Sequence, residues 1–391
     1  MRILLTGQVG LDKSSYLNGA RDLCAQDGVR LQSVSIGGLM LQGAAGTHTE
    51  ATILNAPKNE LKALRANAWA QALAEANAAD PSDVFVANSH AVLRWNHGPI
   101  PALELDTLLQ FGPGMVVTLI DDVDLVKKGL AERNTDIFQL WELMAWREEE
   151  IHIARLVGES LSRLTGRVIP FYLLPKQQGP ELFARLVTRG SSKKAYLSFP
   201  VTGLTPDEKD EVDGFKREVS SGLVCFDPLA LSERSIVTTA ESLAEEIGGA
   251  IGPGLREVLK GVPSNDDRAW TPFTDERTAL GLALLHTNEQ WLVGQEVMSI
   301  MAAIDSQIIA RDYLLIEQSD MIVAFIPVDE KGKPRISAGS ISEMNYAYHT
   351  GKRVYIVFPG DRRNLSPWVT EFATARIFAR VDECLDELRR L

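Results

Sequence analysis

The chain has 391 residues, of which 45% are hydrophobic and 24% charged, so it has ample apolar material for two folded cores and does not have the composition of a disordered protein. Its net charge of −12 argues against a protein that binds long stretches of nucleic-acid backbone, because such binding needs a basic face. Three widely spaced cysteines, no signal-peptide pattern and no run of about 20 apolar residues predict a cytoplasmic protein without structural metal, disulfides or a membrane span.

Short apolar strands alternate with helical segments through the first half of the chain. The predicted strands are Arg2–Thr6, Arg30–Ile36, Asp83–Ala87, Met115–Ile120 and Arg167–Phe171, and the clearest predicted helices are Asn59–Asn77 and Asp136–Leu164. This alternation predicts an α/β domain, with a parallel sheet between two layers of helices.

A glycine-containing loop with the sequence GQVGLDKSS follows the first strand and opens a helix, which is the context of a phosphate-binding loop. The residues predicted to bind a nucleotide are Gly7, Gly10, Lys13, Ser14 and Ser15. Backbone amides would surround the phosphates of ATP, Lys13 would pair with the β- and γ-phosphates, and Ser14 would hold magnesium. The loop departs from the pattern GxxxxGK[ST] at Asp12, whose carboxylate opposes a phosphate.

A polar, basic stretch at residues 188–194 predicts a linker, which we place at residues 189–194, between a domain of residues 1–188 and a domain of residues 195–391. The strands predicted in the second half are Ala195–Phe199, Gly222–Phe226, Met321–Ile326, Arg353–Phe358 and Ala375–Phe378. The helices predicted there are Asp207–Ser221, Glu289–Gln318, Ser342–Thr350 and Val381–Arg390. Residues 229–319 are longer than a crossover needs, so we expect a helical insertion that covers the site or forms oligomer contacts.

Glu343 follows a Gly-Ser loop near the predicted start of a helix, where the helix dipole and free amides would favour an ionised carboxylate. Such a carboxylate at a strand-to-helix turn can attack C1′ of a sugar and form a covalent glycosyl-enzyme. Taken alone, the position favours an ordinary carboxylate at a helix start.

Five spaced motifs in the second half make it similar to the nucleoside 2-deoxyribosyltransferase superfamily, which includes the deoxynucleoside monophosphate N-glycosidases. They are YLSFPVTG (196–203), FDPL (226–229), RDYLLIEQSDMIVA (311–324), SAGSISEMNYA (337–347) and GKRVYIVF (351–358). The resemblance spans roughly residues 195–380 and implies a flavodoxin-like domain in which Glu343 is the nucleophile. It also implies that Asp312 contacts the sugar or protonates the leaving base.

Transferases of this superfamily that act on free nucleosides usually have an aspartate six residues before the nucleophile, whereas this chain has Ser337 there, as the monophosphate hydrolases do. The resemblance therefore favours cleavage of a nucleotide over base exchange, which stays an alternative. It also implies that the glycosidic chemistry needs no cofactor and that the protein is a homo-oligomer. The residues expected to bind the substrate are Tyr196, Ser198, Thr202, Ser337, Gly339, Ser340 and Asn345.

The first half resembles the adenylate-kinase-like P-loop nucleoside monophosphate kinases over most of residues 1–188. The matching pieces are the loop, DVFVANSHAVLRW (83–95), VVTLIDDV (116–123) and WREEEIHIARLVGES (146–160). Asn88 stands where such kinases commonly have an acid, and the arginines available to clamp a phosphoryl group are Arg94, Arg133 and Arg147. Two alternatives follow: a kinase-like phosphotransferase, or a nucleotide-sensing defence effector that degrades nucleotides or NAD. In each case the expected partner is a small nucleoside or nucleotide.

Overall fold

A computed structural model describes residues 1–95, 98–133, 138–231, 233–236, 238–239, 284–287 and 290–390. The described strands are β1 (Arg2–Thr6), β2 (Leu31–Ser35), β3 (Val84–Asn88), β4 (Val92–Trp95), β5 (Gly98–Pro101), β6 (Met115–Ile120), β7 (Phe171–Pro175), β8 (Lys194–Ser198), β9 (Val224–Phe226), β10 (Leu284–Thr287), β11 (Gln290–Val293), β12 (Met321–Phe325), β13 (Arg353–Val357) and β14 (Ile377–Phe378). The described helices are Lys13–Gln26, Ile36–Gly43, Lys58–Ala78, Leu105–Phe111, Val123–Glu132, Leu140–Thr165, Pro180–Thr188, Pro206–Gly222, Gly294–Glu317, Ala338–His349, Pro367–Phe372 and Val381–Leu388.

The protein is α/β, with two parallel sheets of five strands each and helices packed against them. The first sheet has the order β2-β3-β1-β6-β7, and all of its neighbours run parallel. β1, β3 and β6 are continuous runs of buried residues, because helices cover both faces of such a sheet. The predicted strands Arg2–Thr6 and Met115–Ile120 are confirmed at both ends.

The second sheet has the order β14-β13-β12-β8-β9 and is also parallel throughout. From β8 the chain moves outward to β9, then returns to the other side of β8 as β12. The order therefore reverses between β8 and β12. In open α/β sheets, ligands bind beyond the carboxyl ends of the strands at such a reversal.

Three predicted boundaries are wrong. The strand predicted at Arg167–Phe171 begins only at Phe171, because Gly166 ends the preceding helix in the left-handed conformation and Val168 is 92% exposed. The helix predicted from Glu289 begins at Gly294, since β11 pairs with β10 as an antiparallel hairpin.

The helix predicted from Ser342 begins instead at Ala338, because the Ser337 side chain caps it. Within the predicted insertion at 229–319, residues 240–283 lie outside the described residues, as does the predicted helix start at 136–137.

The two halves share a hydrophobic core. One cluster of buried residues includes side chains from both sheets, and the rings of Tyr172 and Phe226 stack with centroids 6.5 Å apart. The Gln318 side chain forms two hydrogen bonds with the backbone of Leu173, accepting at 2.7 Å and donating at 3.0 Å. Within the part of the chain that the structure describes, no helix has the length and apolar character needed to cross a bilayer.

Candidate functional site

Two hydroxyl groups at the carboxyl end of β8 hold the Glu343 carboxylate. Tyr196 and Ser198 alternate along the strand, so their side chains project from the same face of the sheet. The Tyr196 hydroxyl donates to Glu343 Oε1 at 2.9 Å, and the Ser198 hydroxyl donates to Oε2 at 2.5 Å. Both oxygens of one carboxylate are therefore positioned by the strand next to the reversal in strand order.

Glu343 lies in the second turn of its helix, because the helix begins at Ala338. The effect of the helix dipole is largely confined to the first turn, so the expectation that the dipole keeps this carboxylate ionised is wrong. Burial raises the pKa of Glu343 to about 7, and nearby Asp312 raises it further, while the hydrogen bonds from Ser198 and Tyr196 lower it. Near neutral pH the group is therefore divided between its protonated and ionised forms.

Asp312 is a buried second carboxylate in the same electrostatic environment, not an exposed helix charge. Arg311 donates to its Oδ1 from Nε at 3.1 Å and from Nη2 at 3.0 Å. Burial raises the pKa of Asp312, whereas Arg311 lowers it. Arg311 Nη2 also donates to the carbonyl oxygen of Pro228 at 3.1 Å, so the segments FDPL and RDYLL meet here.

Ser337 and Ser340 form the amino-terminal cap of the Glu343 helix. The Ser337 hydroxyl accepts from the Ser340 amide at 3.0 Å, and the two hydroxyl oxygens are 2.9 Å apart. Gly339 lies between them in the first turn, where backbone amides are free of helical partners. The predicted substrate-binding residues Ser337, Gly339 and Ser340 are thus brought together at the start of the helix that also contains Glu343.

Two predicted substrate-binding residues are not brought to the carboxylates. Thr202 is exposed in the loop after β8, and Asn345 is exposed on the helix surface. Asn345 follows Glu343 by two residues, which turns its side chain about 200° around the helix axis.

The pairing of two tyrosines, one on the helix that contains Asp312 and one on the helix that contains Glu343, was not predicted. The rings of Tyr313 and Tyr346 stack with centroids 4.0 Å apart and planes within 4°. The Tyr313 hydroxyl lies 2.8 Å from the Ser342 hydroxyl, and Tyr346 donates to Glu317 at 2.6 Å. Tyr313 directly follows Asp312, and Tyr346 lies about one helical turn after Glu343. These positions were the sequence signal that could have indicated the pair.

The loop Gly7–Ser15 lies between β1 and the helix Lys13–Gln26, as predicted. Gly7 has a φ of 147° and Gly10 a φ of 94°, and both angles favour glycine. A Cβ atom at Gly7 would lie 2.6 Å from the carbonyl oxygen of Leu119, and one at Gly10 would lie 2.8 Å from that of Val126.

Asp12 also has a positive φ, 48°, and its Oδ1 accepts from the Ser15 amide at 3.3 Å. A carboxylate thus occupies the helix terminus at which a phosphate would bind. Lys13 Nζ donates to the carbonyl oxygens of Gly7 at 2.7 Å and Gln8 at 3.1 Å, and burial lowers its pKa to about 7. These residues do not fit the triphosphate of ATP with magnesium, because the carboxylate repels it and the lysine is already bonded.

Of the three candidate phosphoryl-clamping arginines, Arg94 and Arg133 line the same cleft as Lys13, whereas Arg147 does not. Arg94 forms a two-bonded ion pair with Glu149, and Arg133 pairs with Glu50 at 2.7 Å. Arg147 is buried against Glu233, a residue of the second half. Each guanidinium therefore has its own carboxylate, and two of the three candidates lie in the cleft beside the loop.

Comparison with known proteins adds no relative: no family model matches the chain, and no curated protein is significantly similar to it.

Proposed function

We propose that the site around Glu343 cleaves the N-glycosidic bond of a nucleoside or nucleotide through a covalent glycosyl-Glu343 intermediate. The single observation that supports this most is the Glu343 carboxylate itself, which receives hydrogen bonds from Tyr196 and Ser198 at the reversal in strand order. When only the strands of this sheet are numbered in chain order, β8 is strand 1, β9 is strand 2, and β12, β13 and β14 are strands 3 to 5. The sheet order is then 2-1-3-4-5, which is the order of flavodoxin-like sheets. This order agrees with the proposed membership of the deoxyribosyltransferase superfamily.

In the first step, ionised Glu343 attacks C1′ and the bond from C1′ to the base nitrogen breaks. The base departs with the electron pair of that bond and takes a proton from an acid, a role we assign to Asp312, whose pKa burial raises. Water then attacks C1′ and gives a proton to Asp312, and Glu343 is released. The Ser337 and Ser340 hydroxyls and the first-turn amides other than that of Ser340, which Ser337 caps, would bind a 5′-phosphate, and this favours nucleotide hydrolysis over base exchange.

The test is to incubate the full chain with nucleosides, nucleoside monophosphates, NAD and ATP, and to separate the products by liquid chromatography. We expect free base, with a bell-shaped pH dependence of kcat/KM, because Glu343, whose pKa is about 7, must be ionised while Asp312 still holds its proton. Glu343→Gln is expected to lower kcat on the order of 10⁴-fold or more. Asn345→Ala, an exposed change on the same helix, is the matched control and is expected to leave kcat unchanged.

Formation of ADP without free base would overturn the proposal in favour of a phosphotransferase. Release of nicotinamide from NAD would support the proposed attack by Glu343 on C1′, but would identify the protein as a nucleotide-degrading effector. Equal activity of Glu343→Gln and the parent chain would exclude the covalent route.

A further inference from the structure

A concave site lies in the first half of the chain, separate from Glu343. A cleft of about 270 Å³ opens beyond the carboxyl ends of β1, β2 and β3, and its lining includes the loop after β1, Ser35 and Asn88. Carboxyl ends of parallel strands are the usual ligand-binding edge of an α/β sheet. The volume is slightly below the roughly 300–1,000 Å³ of typical small-molecule sites, so a small ligand is required.

The lining combines an apolar surface with several cations, among them Arg65. Met40, Leu41, Ile53 and Leu54 provide apolar surface in the cleft. Arg65 also lines it, donates to the carbonyl oxygen of Pro101 at 2.7 Å, and forms no ion pair with a carboxylate among the described residues. The other lining arginines are neutralised by their ion pairs, as described above. Arg65 is therefore available to an anionic group of a ligand.

Gln8 contributes an unsatisfied polar atom to the wall of the cleft. This side chain is 1% exposed and donates through Nε2 to the carbonyl oxygen of Leu143 at 2.8 Å. Its Oε1 is buried and has no hydrogen-bond partner within the described ranges of the chain. A buried acceptor without a donor costs free energy, which is recovered if the side chain turns so that Oε1 meets a hydroxyl or amine of a bound molecule.

Asp12 limits the charge that the cleft accepts. Its carboxylate lines the cleft and caps the adjoining helix, so a ligand that places several negative charges there meets repulsion. A ligand with one anionic group can instead place that group against Arg65, away from the cap. Its apolar part then covers the aliphatic lining.

We propose that this cleft binds a small organic anion with an apolar body, without a metal ion, and that Asp12 excludes nucleoside triphosphates. The anionic group is a carboxylate or a phosphate monoester, since a guanidinium forms paired hydrogen bonds with either. This inference does not depend on the chemistry proposed for Glu343.

Isothermal titration calorimetry of the full chain tests the proposal. The probes are a matched pair, 1-naphthoate and 1-naphthyl phosphate, with inorganic phosphate as the anion lacking an apolar body and ATP with magnesium as the triphosphate. We expect at least one naphthyl anion to bind, inorganic phosphate to bind at least 10-fold more weakly, and ATP to give no binding heat. The tighter naphthyl probe identifies the anionic group.

Arg65→Gln is expected to weaken binding of the naphthyl anion at least 10-fold, while Lys62→Gln, an exposed change on the same helix, leaves it unchanged. Asp12→Gly is expected to gain binding of ATP. Thermal melting of each variant checks that it is folded. The proposal is overturned if neither naphthyl anion binds, if Arg65→Gln binds as tightly as Lys62→Gln, or if the parent chain binds ATP as tightly as Asp12→Gly does.

Discussion

Glu343 retains its proton to a higher pH than an ordinary glutamate, and this has a consequence for stability that does not depend on catalysis. Its pKa is about 7 in the folded chain, against an ordinary value of 4.5, because burial disfavours the charged form. Between these two values the unfolded chain has released the proton that the folded chain still holds, so ionisation favours unfolding as the pH rises. The contribution of Glu343 to stability therefore falls between about pH 4.5 and pH 7.

Replacement by an uncharged isostere removes this dependence. We expect Glu343→Gln to have a higher Tm relative to the parent chain at pH 8 than at pH 5, as measured by calorimetry in matched buffers. Glu330→Gln, an exposed change with no expected dependence, serves as the control. A Tm difference between Glu343→Gln and the parent chain that is the same at both pH values would show that the carboxyl has an ordinary pKa.

The residues of the candidate site could be predicted from the sequence, but their protonation could not. Tyr196, Ser198 and Glu343 are far apart in the chain, and their spaced motifs predicted that they belong to one site. The raised pKa depends instead on how much water the fold removes and on the proximity of Asp312, which is a property of tertiary packing. Likewise, Asp12 could be identified as a departure from the loop pattern, but not as the cap of the following helix.

At the scale of elements, the helix Leu140–Thr165 contacts both halves, and we call it the bridging helix. On the first half, its Glu150 accepts from the amides of Gly7 at 2.7 Å, Ala91 at 2.7 Å and Val92 at 2.9 Å. On the second half, its Arg155 pairs with Glu317 at 3.0 Å. One rigid element therefore joins the loop after β1 to the helix that contains Asp312.

Arg147 is the most buried of the bridging helix's ion-pairing residues. It forms a two-bonded pair with Glu233, which is 1% exposed, and donates to Gln307 Oε1 at 2.6 Å. Removing the arginine leaves the Glu233 charge buried without a counter-ion. We expect Arg147→Met to lower the free energy of unfolding by about 3–5 kcal/mol in urea denaturation.

Arg155→Ala, on the same helix, is the control: its ion pair with Glu317 is partly exposed, so we expect a loss of about 0–1 kcal/mol. Adding Glu233→Gln to Arg147→Met should recover part of the stability, because the buried charge is then gone. Equal destabilisation by Arg147→Met and Arg155→Ala would show that the buried ion pair contributes no more to the free energy of unfolding than the partly exposed one.

Helices and strands that have a clear pattern in their own residues were predicted better than those whose conformation depends on pairing with another segment. Buried parallel strands such as β1, β6 and β12 are runs of apolar residues, which made them visible in the sequence. β11 was predicted as helix because its strand conformation depends on pairing with β10. The helix start at Ala338 was misplaced because Ser337, Ser340 and Ser342 are each suitable capping residues in the sequence, and only the structure shows that Ser337 is the cap.

At the scale of the whole molecule, the sequence predicted two domains joined by a linker, but it did not predict how extensively the halves pack. Arg147 was predicted to clamp a phosphoryl group, yet it pairs with Glu233 across the two halves. Long-range pairs of this kind have no local pattern. The shared hydrophobic cluster, the Gln318–Leu173 hydrogen bonds and the bridging helix together make each half part of the other's packing.

This packing predicts that the two sheets unfold together. Because the halves share buried apolar surface and a buried ion pair, exposing one half removes stabilising contacts from the other. We expect a single calorimetric transition in which the calorimetric and van't Hoff enthalpies agree. Hydrogen-exchange mass spectrometry should give similar opening free energies for peptides from β1 and β12, and Arg147→Met should lower both by similar amounts. Two separate transitions, or a loss of protection confined to β1, would mean that the halves are independent domains that only touch.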